Sequence, residues 1–116
     1  MLLSSMKRAF VESSAFTKRV NEEGAEVLKA VQEELLKNPE CGDVIQGTGG
    51  LRKTRLGDKN RGKGKRGGFR VIYLDLPLIE HTYLLALYDK GEKSDISVSE
   101  KRILKELVGK LKKEAR

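Results

Sequence analysis

The sequence predicts an α+β fold, a mostly antiparallel twisted sheet with helices towards its N-terminus and one helix at its C-terminus. Three observations predict it. Val27, Leu28, Val31, Leu35 and Leu36 form one stripe at helical spacing. Residues 69–76 and 82–88 are strand-length runs with apolar residues at both odd and even positions. Ser97-Val98-Ser99-Glu100 fits a capping box just ahead of a second helical stripe. Helices and strands come in groups rather than in strict alternation, which predicts helices packed on one face of the sheet.

The elements follow in chain order. Residues 6–13 alternate loosely and read as a short strand. Ser13 or Ser14 caps a short helix over about residues 15–20. Asn21, Glu22 and Glu23 read as a second helix start, with acids at the positive end of the dipole. The Val27–Leu36 stripe (residues 27–36) belongs to that helix, and Asn38-Pro39 stops it because the residue before proline avoids helical backbone. Residues 43–46 are a short apolar segment, and Gly47-Thr48-Gly49-Gly50 is a loop. Residues 51–56 alternate, with Leu51, Lys53 and Arg55 on one side and Arg52, Thr54 and Leu56 on the other. Residues 57–68 read as a long basic loop. The runs at 69–76 and 82–88 should be central in the sheet, joined as a hairpin through residues 77–81. The last helix buries Ile103, Leu104, Leu107, Val108 and Leu111 and places Lys110, Lys112 and Lys113 at its negative end.

Charge narrows the function. Residues 52–70 hold nine Lys/Arg against the single acid Asp58, a local charge of +8 in a chain of net +7. The rest of the chain is therefore close to neutral, and the positive charge is a patch built to face phosphate. A chain of 116 residues is one domain, residues 1–116, with room for a core. Met6-Lys7-Arg8 reads as a second start, which would make residues 1–5 a disordered extension. The N-terminal apolar run is too short for a signal peptide, and no segment approaches the ~20 apolar residues of a membrane span. Cys41 is alone, so no intramolecular disulfide can form, and a cytoplasmic setting is expected. Tryptophan is absent and only six Tyr and Phe occur, too few for a base-stacking platform.

Two nucleotide motifs are matched in letters only. Residues 57–63 fit the start of a P-loop, but Gly64 stands where Ser or Thr would hold magnesium. Residues 62–67 fit the dinucleotide pattern. Both chemistries need a helix after the loop to receive phosphate, and a strand follows instead. The glycines more simply keep a loop open.

The catalytic inventory is narrow. One His and one Cys do not make a zinc site, and paired-His ribonuclease chemistry is impossible with His81 alone. No nucleophile elbow is present. What remains is a site of Arg, Lys and Tyr without metal or cofactor. It suits cleavage of RNA through its own 2′-OH, because the substrate then carries the nucleophile and the protein orients it and stabilises charge on the phosphate. Arg70 stands inside an otherwise apolar strand, where burying it costs free energy without an anionic partner. Either Asp75 or Asp43 pairs with it, or a substrate phosphate does. Tyr73 and Tyr83 read as packing, His81 as a strand-end residue. Tyr88 ends a strand beside Asp89-Lys90-Gly91, where packing and function are both open. For Lys59, Arg61 and Lys63, general electrostatic steering is the plainer reading.

Several of these segments together resemble one family. Asn38-Pro39, the run from Gly42 to Lys53 (GDVIQGTGGLRK), Gly62-Lys63-Gly64-Lys65-Arg66-Gly67-Gly68 and Tyr88-x-Lys90 are similar to the HigB branch of the RelE toxin superfamily, in order over residues 6–111. The resemblance implies a small ribonuclease that enters the ribosomal A site and cuts mRNA during translation. It also implies a cognate antitoxin in a type II toxin–antitoxin module, and contact with DNA only indirectly, through that antitoxin. It makes Arg70 catalytic, with Tyr88 and Lys90 carried over beside it. It assigns RNA or ribosome contact to Lys53 and Arg55, and the loop residues Lys59, Arg61, Lys63, Lys65 and Arg66 add basic surface to the same end. The chain departs from the superfamily pattern at Ser97, where a tyrosine is usual, and at Gly91, where an arginine is. On the proposed sheet, Arg55, Arg70 and Tyr88 fall on three neighbouring strands, with the helices covering the opposite face. A non-enzymatic basic module that docks on ribosomal RNA is the competing expectation.

Overall fold

The computed structural model describes residues 8–57, 64, 68–92 and 96–115. The proposed extension at residues 1–5 and the loop cations Lys59, Arg61, Lys63, Lys65 and Arg66 lie outside the described residues. The elements are β1 (Ala9–Glu12), α1 (Ser14–Glu23), α2 (Ala25–Lys37), β2 (Asp43–Val44), β3 (Arg52–Leu56), β4 (Phe69–Leu76), β5 (His81–Asp89) and α3 (Val98–Glu114). A single 3₁₀ turn, Pro77–Ile79, joins β4 to β5. The fold is α+β, as the sequence predicts.

The sheet order is β1-β5-β4-β3-β2. All pairs are antiparallel except β1 with β5, which runs parallel. The two runs with apolar residues at both odd and even positions occupy the interior, since a strand flanked on both edges and covered on both faces has no polar side to display. β4 is buried from Phe69 to Leu74.

Both faces of that strand need cover, and both receive it. Phe16, Val20, Val27, Val31 and Leu35 of α1 and α2 pack against Leu56, Phe69, Val71, Tyr73, Leu84 and Leu87. On the other face, Val108 of α3 joins Leu51, Ile72, Leu74, Tyr88 and Ile96. The expectation that all helices share one face is therefore corrected. A strand with apolar residues at both odd and even positions, Phe69, Val71 and Tyr73 on one face and Ile72 and Leu74 on the other, requires a layer on each side.

Local signals account for the helix ends. Ser13 caps α1, accepting from Phe16 N at 3.0 Å and donating to Leu85 O at 2.8 Å. Asn21–Glu23 does not start a second helix but completes α1. The break falls at Gly24, which takes φ +108°, a conformation that a side chain disfavours. Glu23 stays in α1, where it pairs with Arg19 one turn earlier. The capping box at Ser97 and Glu100 forms in both directions, at 3.2 and 3.1 Å. This gives Ser97 a structural duty.

The stripe on α3 is only half used. Leu104, Val108 and Leu111 pack on the sheet, whereas Ile103 is 68% and Leu107 38% exposed. They lie on the helix flank turned away from the contact. Beneath the helix, Lys112 Nζ donates to Gly49 O at 2.6 Å, and Thr48 Oγ1 closes the loop by donating to Ile45 O at 2.7 Å. At the far edge, Tyr73 pins the segment before β2. Its hydroxyl donates to Pro39 O at 2.7 Å and accepts from Gly42 N at 3.0 Å.

Candidate active site

The strand register brings three of the expected residues into one row. Arg55 on β3 is directly opposite Arg70 on β4, and Arg70 is directly opposite Tyr88 on β5. Residues opposed in register share a face, and opposed Cα atoms are about 4.5–5.5 Å apart. The row therefore spans three strands in about 10 Å. Lys53, two residues before Arg55, belongs to the same face and is paired with Ile72. A register shift in β5 between the partners of Ile72 and Tyr73 lies just beyond the row, and such irregularities increase local twist.

Burial along the row is graded. Arg55 is exposed, whereas Arg70 is only 9% and Tyr88 8% exposed. A basic surface residue thus leads onto a buried cation beside a phenol. The Arg70 guanidinium donates weakly to its own strand, to Phe69 O at 3.3 Å and Gly68 O at 3.5 Å. Asp75 lies five residues along β4, about 17 Å by strand rise, beyond the reach of an Arg70 pairing. Asp75 instead forms an ion pair with Arg8 and accepts from Thr82 Oγ1 at 3.0 Å. Asp43 is opposite Lys53, two strands from Arg70 in the sheet order.

Lys90 follows β5 in an exposed turn. Its N–H points to Gly68 O at 3.4 Å, the same carbonyl that Arg70 addresses. The third expected residue is thus tied by its backbone to the start of β4. The turn is closed by Glu92 N donating to Asp89 O at 3.1 Å and by Asp89 N donating to Glu92 Oε1 at 2.7 Å.

Alternation puts Asp89 on the face opposite Tyr88, towards α1. There Arg19 meets three carboxylates: Glu23 at 3.0 Å, Glu92 at 2.5 and 2.8 Å, and Asp89 at 3.5 Å. The bond to Glu92 raises the Arg19 pKa further above its ordinary value, against the opposing effect of burial. Sequence reading missed this cluster. Arg19 and Glu23 stand four residues apart, the spacing of a helical ion pair, but the helix start expected at Asn21 separates them, and nothing in the sequence brings residue 19 to residues 89 and 92.

Tyr73 and His81 keep the plain roles expected of them. Tyr73 is fully buried, and burial pushes its phenol well above the usual range. His81 packs edge-on to Tyr83 at 6.2 Å between ring centroids, at the opposite end of β5 from Tyr88. A cavity of about 430 Å³ lined by Arg8, Glu40, Arg52, Asp75 and Lys112 also lies at that far end of β4. The Arg55–Arg70–Tyr88 row is instead on the broad face of the sheet. Among the described residues, no helix is long and apolar enough to cross a membrane.

No family model matches the chain. Among solved structures, it is similar to the isolated E. coli RelE toxin, with a TM-score of 0.53 at 17% identity over 87% of this chain and 99% of that one. It is also similar to a free-state E. coli RelE mutant carrying two arginine-to-alanine substitutions, with a TM-score of 0.52 at 17% identity over 72% of this chain and 83% of that one. The fold is thus RelE-like, and at this identity the likeness is one of fold.

Proposed function

We propose that this protein is the toxin of a type II toxin–antitoxin module, a ribosome-dependent endoribonuclease of the HigB branch that cuts mRNA in the A site. The observation that carries the reading is the Arg55–Arg70–Tyr88 row. Like charges directly opposed across a strand pair destabilise the sheet. Two arginines in that relation, one exposed and one buried, gather positive charge on one face of the sheet, where it attracts an anionic substrate. A phosphodiester is an anion of the right shape, and arginine's planar fork matches it.

The chemistry needs only what RNA and these residues supply. The ribose 2′-oxygen attacks the adjacent phosphorus, a 2′-O–P bond forms and the P–O5′ bond breaks. The products are a 2′,3′-cyclic phosphate and a free 5′-hydroxyl. One proton leaves the 2′-OH and one reaches the departing 5′-oxygen. Arg70 holds the phosphate and meets the charge that grows on it in the transition state. Tyr88 and Lys90 are the neighbours able to carry protons. Arg55 and Lys53 bind the flanking backbone, and the basic loop with Lys59, Arg61, Lys63, Lys65 and Arg66 adds long-range attraction to ribosomal RNA. The reaction as written draws on no metal or cofactor. Its setting is the cytoplasm, its partners are the ribosome with mRNA and a cognate antitoxin, and DNA is met only through that antitoxin.

The test is cell-free translation of a defined mRNA, with new 5′ ends mapped for wild type, Arg70→Ala and a ribosome-free control. Cuts that require both the ribosome and Arg70 support the proposal. Ribosome binding with no cut in any arm replaces it with a docking protein.

A further inference from the structure

The Tyr88 and Lys90 end of β5 is a strand terminus, which would fray unless something held it. Four groups hold it. Arg19 forks onto both carboxylate oxygens of Glu92 at 2.8 and 2.5 Å and reaches Asp89 Oδ2 at 3.5 Å. Glu23 at 3.0 Å fixes the Arg19 side chain against its own helix. Glu92 Oε1 in turn accepts from Asp89 N, at 2.7 Å. The helix is itself anchored, because Phe16 and Val20 of α1 are buried in the core. A fixed element therefore grips a turn that carries Lys90 and immediately follows Tyr88.

We infer that Arg19 is a positioning residue for the candidate active site, acting from the opposite face of the sheet. The inference rests on the nuclease reading for its consequence, but the grip itself does not. Successive strand residues point to opposite faces. Holding Asp89 on the α1 face therefore fixes the angle at which Tyr88 is displayed on the other. The same turn presents Lys90 N–H to Gly68 O at 3.4 Å, the carbonyl that the Arg70 guanidinium approaches at 3.5 Å. One chain of contacts thus links α1 to all three groups expected to be catalytic. Arg19 has a second effect: it offsets the charge of Glu23, Asp89 and Glu92, three carboxylates that would otherwise repel a phosphate near the row.

The bidentate fork is what lysine cannot copy. A lysine at position 19 keeps the charge but holds only one oxygen at a time. A purely electrostatic role would be rescued by Arg19→Lys, and a positioning role would not.

The experiment compares wild type, Arg19→Met, Arg19→Lys, Glu92→Ala and the Arg19→Met/Glu92→Ala double variant, each confirmed folded at the assay temperature by its melting curve. Backbone amide exchange is read at residues 88–92. Steady-state cleavage is read on programmed ribosomes. Arg19→Met and Glu92→Ala should each raise exchange at the turn. Each should lower kcat about 10- to 100-fold with a small change in KM, the size expected for misplaced reacting groups. The double variant should lose no more than the worse single, because both break one grip. Full rescue by Arg19→Lys, or multiplicative losses in the double variant, would overturn the inference. If wild type cuts nothing, the nuclease reading falls and the grip is judged by exchange alone. Unchanged protection in Arg19→Met would then sink it.

Discussion

Arg55 and Arg70 occupy directly opposed register positions on adjacent strands. A sheet optimised for stability would not choose this pair, since opposed like charges cost free energy and opposite charges or apolar pairs gain it. Such local costs collect at functional sites.

Replacing Arg70 separates function from stability. Arg70→Met should lower cleavage by about 100- to 1,000-fold, the range for removing one preorganised donor to a transition-state anion. Its melting curve should still show one cooperative transition, because an apolar side chain of similar length keeps the packing of Ile72 and Leu74 along the same strand. A melting curve and a cleavage time course on the same preparation check both halves.

Arg55 should act mainly through binding. It is exposed, so Arg55→Ala should raise KM more than it lowers kcat. The logarithmic salt dependence of ribosome binding should become shallower by about one phosphate contact. Titrations at several salt concentrations measure that slope.

Removing the loop cations Lys59, Arg61 and Lys63 one by one should weaken ribosome binding in steps set by charge, with little effect on the rate of bound complexes. Identical activity at low and high salt would defeat this expectation.

Tyr73 should matter for stability and its pH dependence. Its hydroxyl bridges Pro39 O and Gly42 N, so Tyr73→Phe should cost about 1–3 kcal/mol in urea unfolding, the penalty for stranding buried polar groups. Burial raises the phenol pKa in the folded state above its ordinary value of 10.0. This contribution is therefore complete below pH 10.0 and declines as pH rises above it towards the folded-state pKa. Tyr73→Phe should show a shallower alkaline loss of stability than wild type.

Much of the architecture was legible because it depends on local pattern. The stripe through Val27, Val31 and Leu35, the caps at Ser13 and Ser97, and the buried runs of β4 and β5 each follow from spacing within a few residues. The errors share a cause. Asn21–Glu23 has the letters of a helix start, but Gly24 sets the break. Ile103 and Leu107 have the period of a buried stripe, but the sheet reaches only the flank with Leu104, Val108 and Leu111. Periodicity reports which residues share a helix face and says nothing of how much of that face a neighbour covers.

The sequence by itself determined the chemical inventory: a local cationic patch, one arginine in an apolar strand, a tyrosine at the end of the next strand and no set of residues for zinc. Those are properties of residue type and near neighbours. Only the tertiary structure decided that Arg55, Arg70 and Tyr88 form one row, since that depends on the register of strands separated by residues 57–68 and by a hairpin. It also decided that α3 packs on the face carrying that row, and that Arg19 grips Asp89 and Glu92 from the other side. Contacts between residues about seventy positions apart are selected by how whole layers pack, and no local pattern encodes them.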